Sequence, residues 1–206
     1  MALIDTVCGM RLFTSDLHLG HHNIIEYCSR PFGSVDEMHD ALVASWNEQV
    51  GHGDEVYILG DLALGKLDDS LQVVLLLQGH KILVPGNHDG CWRGRGKSEK
   101  QRARYESVGL EIVDRPEALE ITKQRVLLSH FPTAGDVDGY VDKFSAWRPE
   151  LRGEWLMHGH VHDRWRQRGR EINVGIDAWG GRLVREDEIA AMIAAGEASR
   201  EILPWR

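Results

Sequence analysis

The stretch Pro85-Gly86-Asn87-His88-Asp89 decides the fold, because it abruptly ends the short apolar run at residues 81–84. An apolar run stopped by Pro-Gly is typical of a buried strand that enters a tight loop. Gly86 lets the backbone turn where a side chain would clash. Three polar side chains then stand at the carboxyl end of the strand, which is where ligands bind in sheets covered by helices.

Four other apolar runs end in residues of the same kind. Strands are predicted at residues 11–16, 55–60, 125–129 and 154–157, and Asp or His stands at the end of each strand or in the loop that follows it. Together with the first stretch, the strand ends carry Asp16 and His18, Asp61, Asn87 and His88, His130, and His160 and His162.

The order of elements indicates the fold class. Strands and helices alternate in the first half of the chain, which favours an α/β fold with parallel strand pairing. The capping-box pattern Ser34-Val35-Asp36-Glu37 predicts the start of a helix. Because the second half is richer in strands, we predict one domain, residues 1–206, built from two packed mixed β-sheets flanked by helices.

Composition narrows the class of protein. With 42% hydrophobic residues, the chain is neither disordered nor fibrous. No apolar stretch approaches the roughly 18 residues that span a bilayer, and residues 1–5 do not resemble a signal peptide, so we expect a cytoplasmic protein with no membrane partner. Cys8, Cys28 and Cys91 show no CxxC spacing, which argues against disulfides and zinc-thiolate sites and predicts idle or buried thiols.

The residue types at the strand ends predict a metal centre. Imidazole, carboxylate and amide oxygen suit Zn, Fe, Mn, Ni or Co, and the missing thiolates argue against a structural zinc site. Each fragment alone has a simpler explanation, such as a helix cap, a common turn or a core histidine. Five fragments in sequence, all at strand ends, favour the metal centre.

The same motifs resemble those of the calcineurin-like metallophosphoesterases. That family has D-x-H, G-D, G-N-H-D/E, a histidine and G-H-x-H, and the match spans residues 14–162. Residues 13–25 also look like a small bacterial and phage branch of the family. The resemblance implies a four-layer sandwich of sheets and helices and a metal-dependent phosphoric ester hydrolase.

The resemblance further implies two divalent metal ions, with Mn²⁺ expected first and Fe, Zn, Ni, Co or Mg as alternatives. One ion would be held by Asp16, His18, Asp61 and His162, and the other by Asp61, Asn87, His130 and His160. Asp61 would bridge ions about 3.5–4 Å apart. The catalytic residues would be Asp61, Asn87 and His88: a bridging hydroxide would attack phosphorus in line, and His88 would stabilise the phosphoryl oxygens or protonate the leaving oxygen.

One departure from the family pattern bears on the substrate. Many members have G-D-x-x-D-R, but here Leu64 and Gly65 follow Gly60-Asp61-Leu62-Ala63. The family's arginine, which grips a phosphate dianion in protein phosphatases, is missing, and this argues against a protein phosphatase. A diester monoanion needs less cationic clamping than a monoester dianion. We therefore favour a two-metal phosphodiesterase acting on nucleotide-type diesters, cyclic nucleotides included. A phosphomonoesterase, a mononuclear hydrolase and a non-catalytic metal-binding scaffold remain alternatives.

Two basic stretches follow directly after metal motifs, although the net charge of the chain is −8. Residues 92–104 contain six basic residues against one acid, and residues 164–170 contain four arginines. They predict either a cationic rim that steers a nucleotide or short oligonucleotide inward or an ordinary solvated charged loop. The tryptophans among them could stack on a base. The candidate substrate-binding residues are His22, Trp92, Arg93, Arg95, Arg164 and Trp165. The sequence leaves the oligomeric state open.

Overall fold

A computed structural model describes residues 9–96, 98–134 and 142–205. The strands within these ranges are β1 (Arg11–Thr14), β2 (Glu55–Ile58), β3 (His80–Leu83), β4 (Leu110–Ile112), β5 (Leu119–Ile121), β6 (Gln124–Leu128), β7 (Trp155–His158), β8 (Gln167–Gly169), β9 (Glu171–Asn173), β10 (Val184–Arg185) and β11 (Ala198–Arg200). The α-helices are α1 (Asn23–Tyr27), α2 (Val35–Gln49), α3 (Leu67–Val74), α4 (Ser98–Glu106) and α5 (Glu186–Ala195).

The first sheet has the strand order β10-β1-β2-β3-β4. Strands β1 to β4 pair in parallel, and only β10 runs antiparallel to its neighbour in this sheet. Parallel pairing brings the carboxyl ends of β1, β2 and β3 to one edge. Asp16, Asp61 and Asn87 therefore emerge side by side.

The second sheet has the strand order β11-β8-β9-β7-β6-β5. Its central strands β6, β7 and β9 pair in parallel, and its outer strands are antiparallel. His130 follows β6, and His160 and His162 follow β7. A parallel bridge between Ser15 and Gly175 joins the loops after β1 and β9, which brings the two sets of strand ends together.

Alternating side chains of the first sheet build two cores. Leu12 and Ile58 face helices α1 to α4 and belong to one buried cluster. Phe13 and Leu59, on the opposite face, pack with residues of the second sheet such as Trp155. The two mixed sheets thus pack face to face, and helices α1 to α4 cover the other face of the first sheet. This arrangement confirms the predicted layered α/β fold.

Local predictions hold at most elements and fail at the shortest ones. The Ser34 hydroxyl accepts a hydrogen bond from the Glu37 backbone N–H at 3.1 Å, as the capping box predicts. Helix α3 begins at Leu67 and ends at Val74. The sequence pattern misses β8, β10 and β11, because strands of two or three residues are too short to show alternation.

Two further expectations concern the membrane and the cysteines. Within the part of the chain that the structure describes, no helix has the length and apolar character needed to cross a membrane. Cys28 and Cys91 are buried free thiols, as predicted, and Cys8 lies outside the described residues.

Candidate metal centre

Asp61 lies at the centre of the strand-end residues. Its Oδ2 is 3.6 Å from Nε2 of His18 and 3.4 Å from Nε2 of His130. The other oxygen, Oδ1, accepts a hydrogen bond of 2.8 Å from the His88 backbone N–H. One carboxylate oxygen therefore faces imidazoles from two sides, which is an arrangement that suits a bridging ligand.

Asp16 organises one side of the centre. Its Oδ1 is 4.0 Å from Nε2 of His162, and its Oδ2 accepts a 3.0 Å hydrogen bond from the His160 backbone N–H. Ligand atoms of Asp16, His18 and His162 lie within 4.8 Å of one another, close enough to bind one metal ion together.

Three donor atoms converge on the other side, around His130. Its Nε2 is 3.1 Å from Oδ1 of Asn87 and 3.3 Å from Nδ1 of His160. Atoms of His130, Asp61 and Asp16 also form a cluster within 4.8 Å that could hold a metal ion. Asp16 is common to both clusters, and Asp61, which belongs to the second, also has its Oδ2 3.6 Å from Nε2 of His18 in the first.

The backbone at these residues is strained. Of the seven predicted ligands, five have a left-handed backbone conformation. Their φ angles are 58° for Asp16, 51° for His18, 53° for Asp61, 72° for His160 and 49° for His162. Left-handed residues other than glycine are uncommon, and such strain clusters at functional sites. The fold therefore bears a conformational cost at the positions that aim these donor atoms inward.

Two glycines allow the loops to approach each other. Gly60 has φ of 87°, and a Cβ there would lie 2.5 Å from Nδ1 of His130. A Cβ on Gly86 would lie 2.3 Å from Oδ1 of Asp61. Larger residues at either position would push the donor groups apart.

His18 provides the test of whether the donors fit a metal. The residue is 2% exposed, and neither ring nitrogen has a hydrogen-bond partner among the described residues. Burial holds the pKa of His18 well below its usual value, so the ring is neutral and offers a lone pair. An unpaired buried polar group is costly, and a bound divalent cation would satisfy it. The donor set, with imidazole, carboxylate and amide oxygen, fits such an ion.

The protonation states show how the site balances its charge without metal. Burial would lower the pKa of His130, but ionised Asp61 outweighs it and raises the pKa to about 9. Asp16 and Asp177 likewise overcome burial at His162 and raise its pKa to about 11. Burial and the charge of His130 lower the pKa of His160 to about 3. In the metal-free protein, protons on His130 and His162 therefore offset the negative charges of the Asp61 and Asp16 carboxylates.

Asp89 is a residue of the site whose role the sequence did not indicate. Its fully buried carboxylate accepts hydrogen bonds from the backbone N–H groups of Asp61 at 2.8 Å, Leu62 at 3.1 Å and Gly86 at 2.8 Å. The carboxylate thereby ties the loop after β2 to the loop after β3. Asp89 is the last residue of the stretch that ends β3, so its place in the sequence pointed to the site. The sequence did not show that its carboxylate faces inward.

The buried ion pair of Arg30 and Asp177 contacts His162 on the side of the ring that faces away from Asp16. Nδ1 of His162 lies 3.0 Å from Oδ2 of Asp177, which leaves Nε2 directed at Asp16. Arg30 donates to both oxygens of Asp177, at 2.8 and 3.0 Å, and to the carbonyl of Asp16 at 2.7 Å. Burial would raise the pKa of Asp177, but the charge of Arg30 outweighs it and lowers the pKa to about 2. Such outer partners fix ring orientation at metal sites.

The predicted substrate-binding residues of the loop after β3 make different contacts in the structure. Nε of Arg95 donates to the carbonyl of Asn87 at 3.1 Å, so this guanidinium lies beside the centre. Arg93 instead pairs with Asp114 at 3.0 Å. Trp92 packs against Trp147, with ring centroids 4.8 Å apart. Lys97, part of the predicted basic rim, lies outside the described residues.

The predicted substrate residues elsewhere differ more from expectation. Trp165 is 6% exposed, and its ring packs against His158 with Arg168 over its face. A ring buried in this way does not fit the prediction that Trp165 stacks on a substrate base. Arg164 is exposed in the turn that follows His162. His22 is exposed, whereas its neighbour His21 has its ring centroid 5.4 Å from that of His18.

Comparison with known proteins places the chain among relatives from phage and archaea. The Gene 66 protein of Mycobacterium phage L5 is 37% identical over 197 residues, which cover 88% of this chain and 92% of that protein. The chain belongs to the Gene 66 protein family. Uncharacterized protein MJ1445 of Methanocaldococcus jannaschii is 30% identical over 197 residues, with 91% and 93% covered. These names state no activity. No family model matches the chain.

The fold is similar to that of a solved structure. A protein of unknown function, AQ665 from Aquifex aeolicus, has 27% sequence identity and a TM-score of 0.67 over 89% of this chain and 99% of its own. Phosphopantetheinyl hydrolase of Mycobacterium tuberculosis overlaps 66% of this chain and 48% of its own, at 20% identity and a TM-score of 0.35. That last likeness is too low to carry an argument about fold or function.

Proposed function

We propose that the protein is a two-metal phosphodiesterase of the calcineurin-like metallophosphoesterase type, acting on nucleotide-type diesters. One observation carries the proposal: seven imidazole, carboxylate and amide donors from five strand ends meet around Asp61, and the partly exposed side chain of His88 lies beside Asp61. Divalent ions held there would supply Lewis-acid activation of water and of the phosphoryl group. Mn²⁺ is the ion that we would test first.

The residues of the chain have separate tasks in this proposal. Asp61 and the ligands on either side would hold the two ions at a fixed spacing. Nε2 of His88 is 4.0 Å from Oδ2 of Asp61, and the side chain is 42% exposed, so it can reach a substrate. His88 would donate a proton to the departing ester oxygen or a hydrogen bond to the phosphoryl oxygens.

Leu64 favours a diester over a monoester. Many metallophosphoesterases carry an aspartate at this position of the motif and an arginine directly after it. Here Leu64 and Gly65 provide neither a partner for His88 nor a grip for a dianion. A diester carries one negative charge fewer and depends less on both groups.

Metal counting and a paired substrate assay test the proposal. Protein stripped of metal and reloaded with Mn²⁺ should bind two ions per chain, measured by elemental analysis. It should hydrolyse bis(p-nitrophenyl) phosphate with a higher kcat/KM than p-nitrophenyl phosphate. A preference for the monoester would indicate a phosphomonoesterase. Two bound ions without turnover of either substrate would indicate a non-catalytic metal-binding scaffold.

Replacing His88 with alanine should separate catalysis from metal binding. We expect His88→Ala to keep both ions and to lower kcat by about 10²-fold or more, the scale of general acid–base catalysis. The control is His52→Ala, since His52 is exposed in the turn before β2. Loss of an ion in His88→Ala would make His88 a ligand.

Metal binding should release protons and strengthen as the pH rises. His130, with a pKa of about 9, and His162, with a pKa of about 11, are protonated at neutral pH in the metal-free protein. Both must lose a proton to bind a cation. The apparent affinity for Mn²⁺ should therefore rise about tenfold per pH unit for each displaced proton between pH 6 and 8. Calorimetry in buffers of different ionisation enthalpy measures the released protons, and a pH-independent affinity would contradict the assignment.

A further inference from the structure

A pocket of about 270 Å³ opens directly beside His88. Its walls are the loop after β2, the loop after β3 and helix α4. Ala63, Leu64 and Leu67 form an apolar side, and Arg95 and Gln101 stand on a polar side. Because His88 lies between this pocket and the candidate metal centre, a phosphoryl group at the centre would point one ester substituent into the pocket.

Hydrogen bonds connect the side chains on the polar side of the pocket. Nε of Arg104 donates to Oδ1 of Asp68 at 2.9 Å, which links α4 to α3, and Arg104 also donates to Oε1 of Gln101. Gly90 makes room for Gln101, since a Cβ on Gly90 would lie 3.3 Å from Cγ of Gln101. The amide nitrogen of Gln101 has no hydrogen-bond partner among the described residues, so it is available to a ligand.

Arg95 stands at the mouth of this pocket. Its Nε donates to the carbonyl of Asn87 at 3.1 Å, which anchors the guanidinium beside a predicted metal ligand. Its two terminal nitrogens have no partner within the described part of the chain. Arg93, from the same loop, pairs with Asp114 and lines a different cavity. The cationic group that remains available at this pocket is therefore that of Arg95.

We propose that this pocket binds the nucleoside part of a nucleotide diester, an inference that rests on the proposed phosphodiesterase function. A base has apolar faces that suit Leu64 and Leu67, and a polar edge that can accept from the amide of Gln101. The guanidinium of Arg95 suits a phosphate oxygen or a ribose hydroxyl. The volume lies near the lower end of small-ligand sites, so the pocket takes one nucleoside.

Binding of adenosine 5′-monophosphate to the Mn²⁺-loaded protein tests the pocket independently of turnover. Calorimetry should show that the nucleotide binds more tightly than inorganic phosphate. Arg95→Ala should raise the Kd for the nucleotide by about 10-fold or more, and Gln101→Ala by about 2- to 10-fold, as expected for charged and neutral hydrogen bonds. The Kd for phosphate should change less in Gln101→Ala. Matched controls are Arg125→Ala and Gln72→Ala, which alter exposed residues outside the pocket.

The outcomes separate this inference from the proposed function. If the wild-type protein hydrolyses bis(p-nitrophenyl) phosphate, yet Arg95→Ala and Gln101→Ala bind the nucleotide like the wild type, the pocket assignment is wrong and the phosphodiesterase stands. If the wild type hydrolyses no diester but both variants lose nucleotide binding selectively, the pocket stands and the phosphodiesterase is wrong. Equal loss of nucleotide and phosphate in both variants would overturn the pocket, because it would mean that they disturb the metal centre.

Discussion

Replacing Asp61 with alanine is expected to abolish tight binding of both metal ions and to lower kcat/KM for a phosphodiester by about 10³-fold or more. Loss of a single hydrogen-bond donor to a developing charge costs about 10²–10³-fold, and this change removes the group shared by both ions. The side chain is 2% exposed, and its Oδ2 lies 3.4 Å from His130 and 3.6 Å from His18. Elemental analysis and steady-state kinetics on the reloaded variant measure the two effects.

Two further variants of carboxylates make the Asp61 result interpretable. Asp61→Asn keeps an oxygen that can accept from the His88 backbone N–H, so it should fold while losing the negative charge that the two ions share. Asp69→Ala removes an exposed carboxylate from α3 and should change neither metal content nor turnover. Two ions and normal kinetics in Asp61→Ala would show that Asp61 is no bridge and would remove the basis of the two-metal assignment.

The arrangement of the site could be predicted from the sequence because each predicted ligand follows a strand. Parallel strands end at a common edge, so Asp16, Asp61 and Asn87 had to lie side by side once β1, β2 and β3 paired. His130 and His160 follow by the same reasoning in the second sheet. The structure brings these residues together, and their role as ligands remains a prediction.

The groups that hold the site in place could not be predicted. Arg30 and Asp177 are 147 positions apart, and neither belongs to a motif. Trp165 lies in an arginine-rich stretch that predicts exposure, yet Nδ2 of Asn173 donates to its carbonyl at 2.7 Å and draws this stretch onto β9. Both features depend on contacts between distant segments, which periodicity and spacing do not encode.

Arg30→Met should lower the free energy of unfolding by about 3–5 kcal/mol, the cost of leaving one partner of a buried ion pair alone. The side chains of Arg30 and Asp177 are both 0% exposed. Arg30 also donates to the carbonyls of Asp16 and Leu17 at 2.7 and 2.9 Å, so those acceptors would lose a donor as well. Urea unfolding of the metal-free protein measures the change. Arg11→Met is the control, since Arg11 and its partner Glu186 are each 30% exposed, and should cost about 1 kcal/mol or less.

The double variant Arg30→Met/Asp177→Leu distinguishes stability from positioning of the metal ligand. Removing both charges avoids the buried unpaired carboxylate, so the double variant should regain much of the stability that Arg30→Met loses. It should not regain metal affinity, because Nδ1 of His162 still lacks its carboxylate, and loss of such a partner costs about 10- to 100-fold. If the double variant binds Mn²⁺ as the wild type does, Asp177 contributes to the fold and does not orient His162. If Arg30→Met is no less stable than Arg11→Met, the buried pair does not stabilise the loops that carry Asp16 and His162.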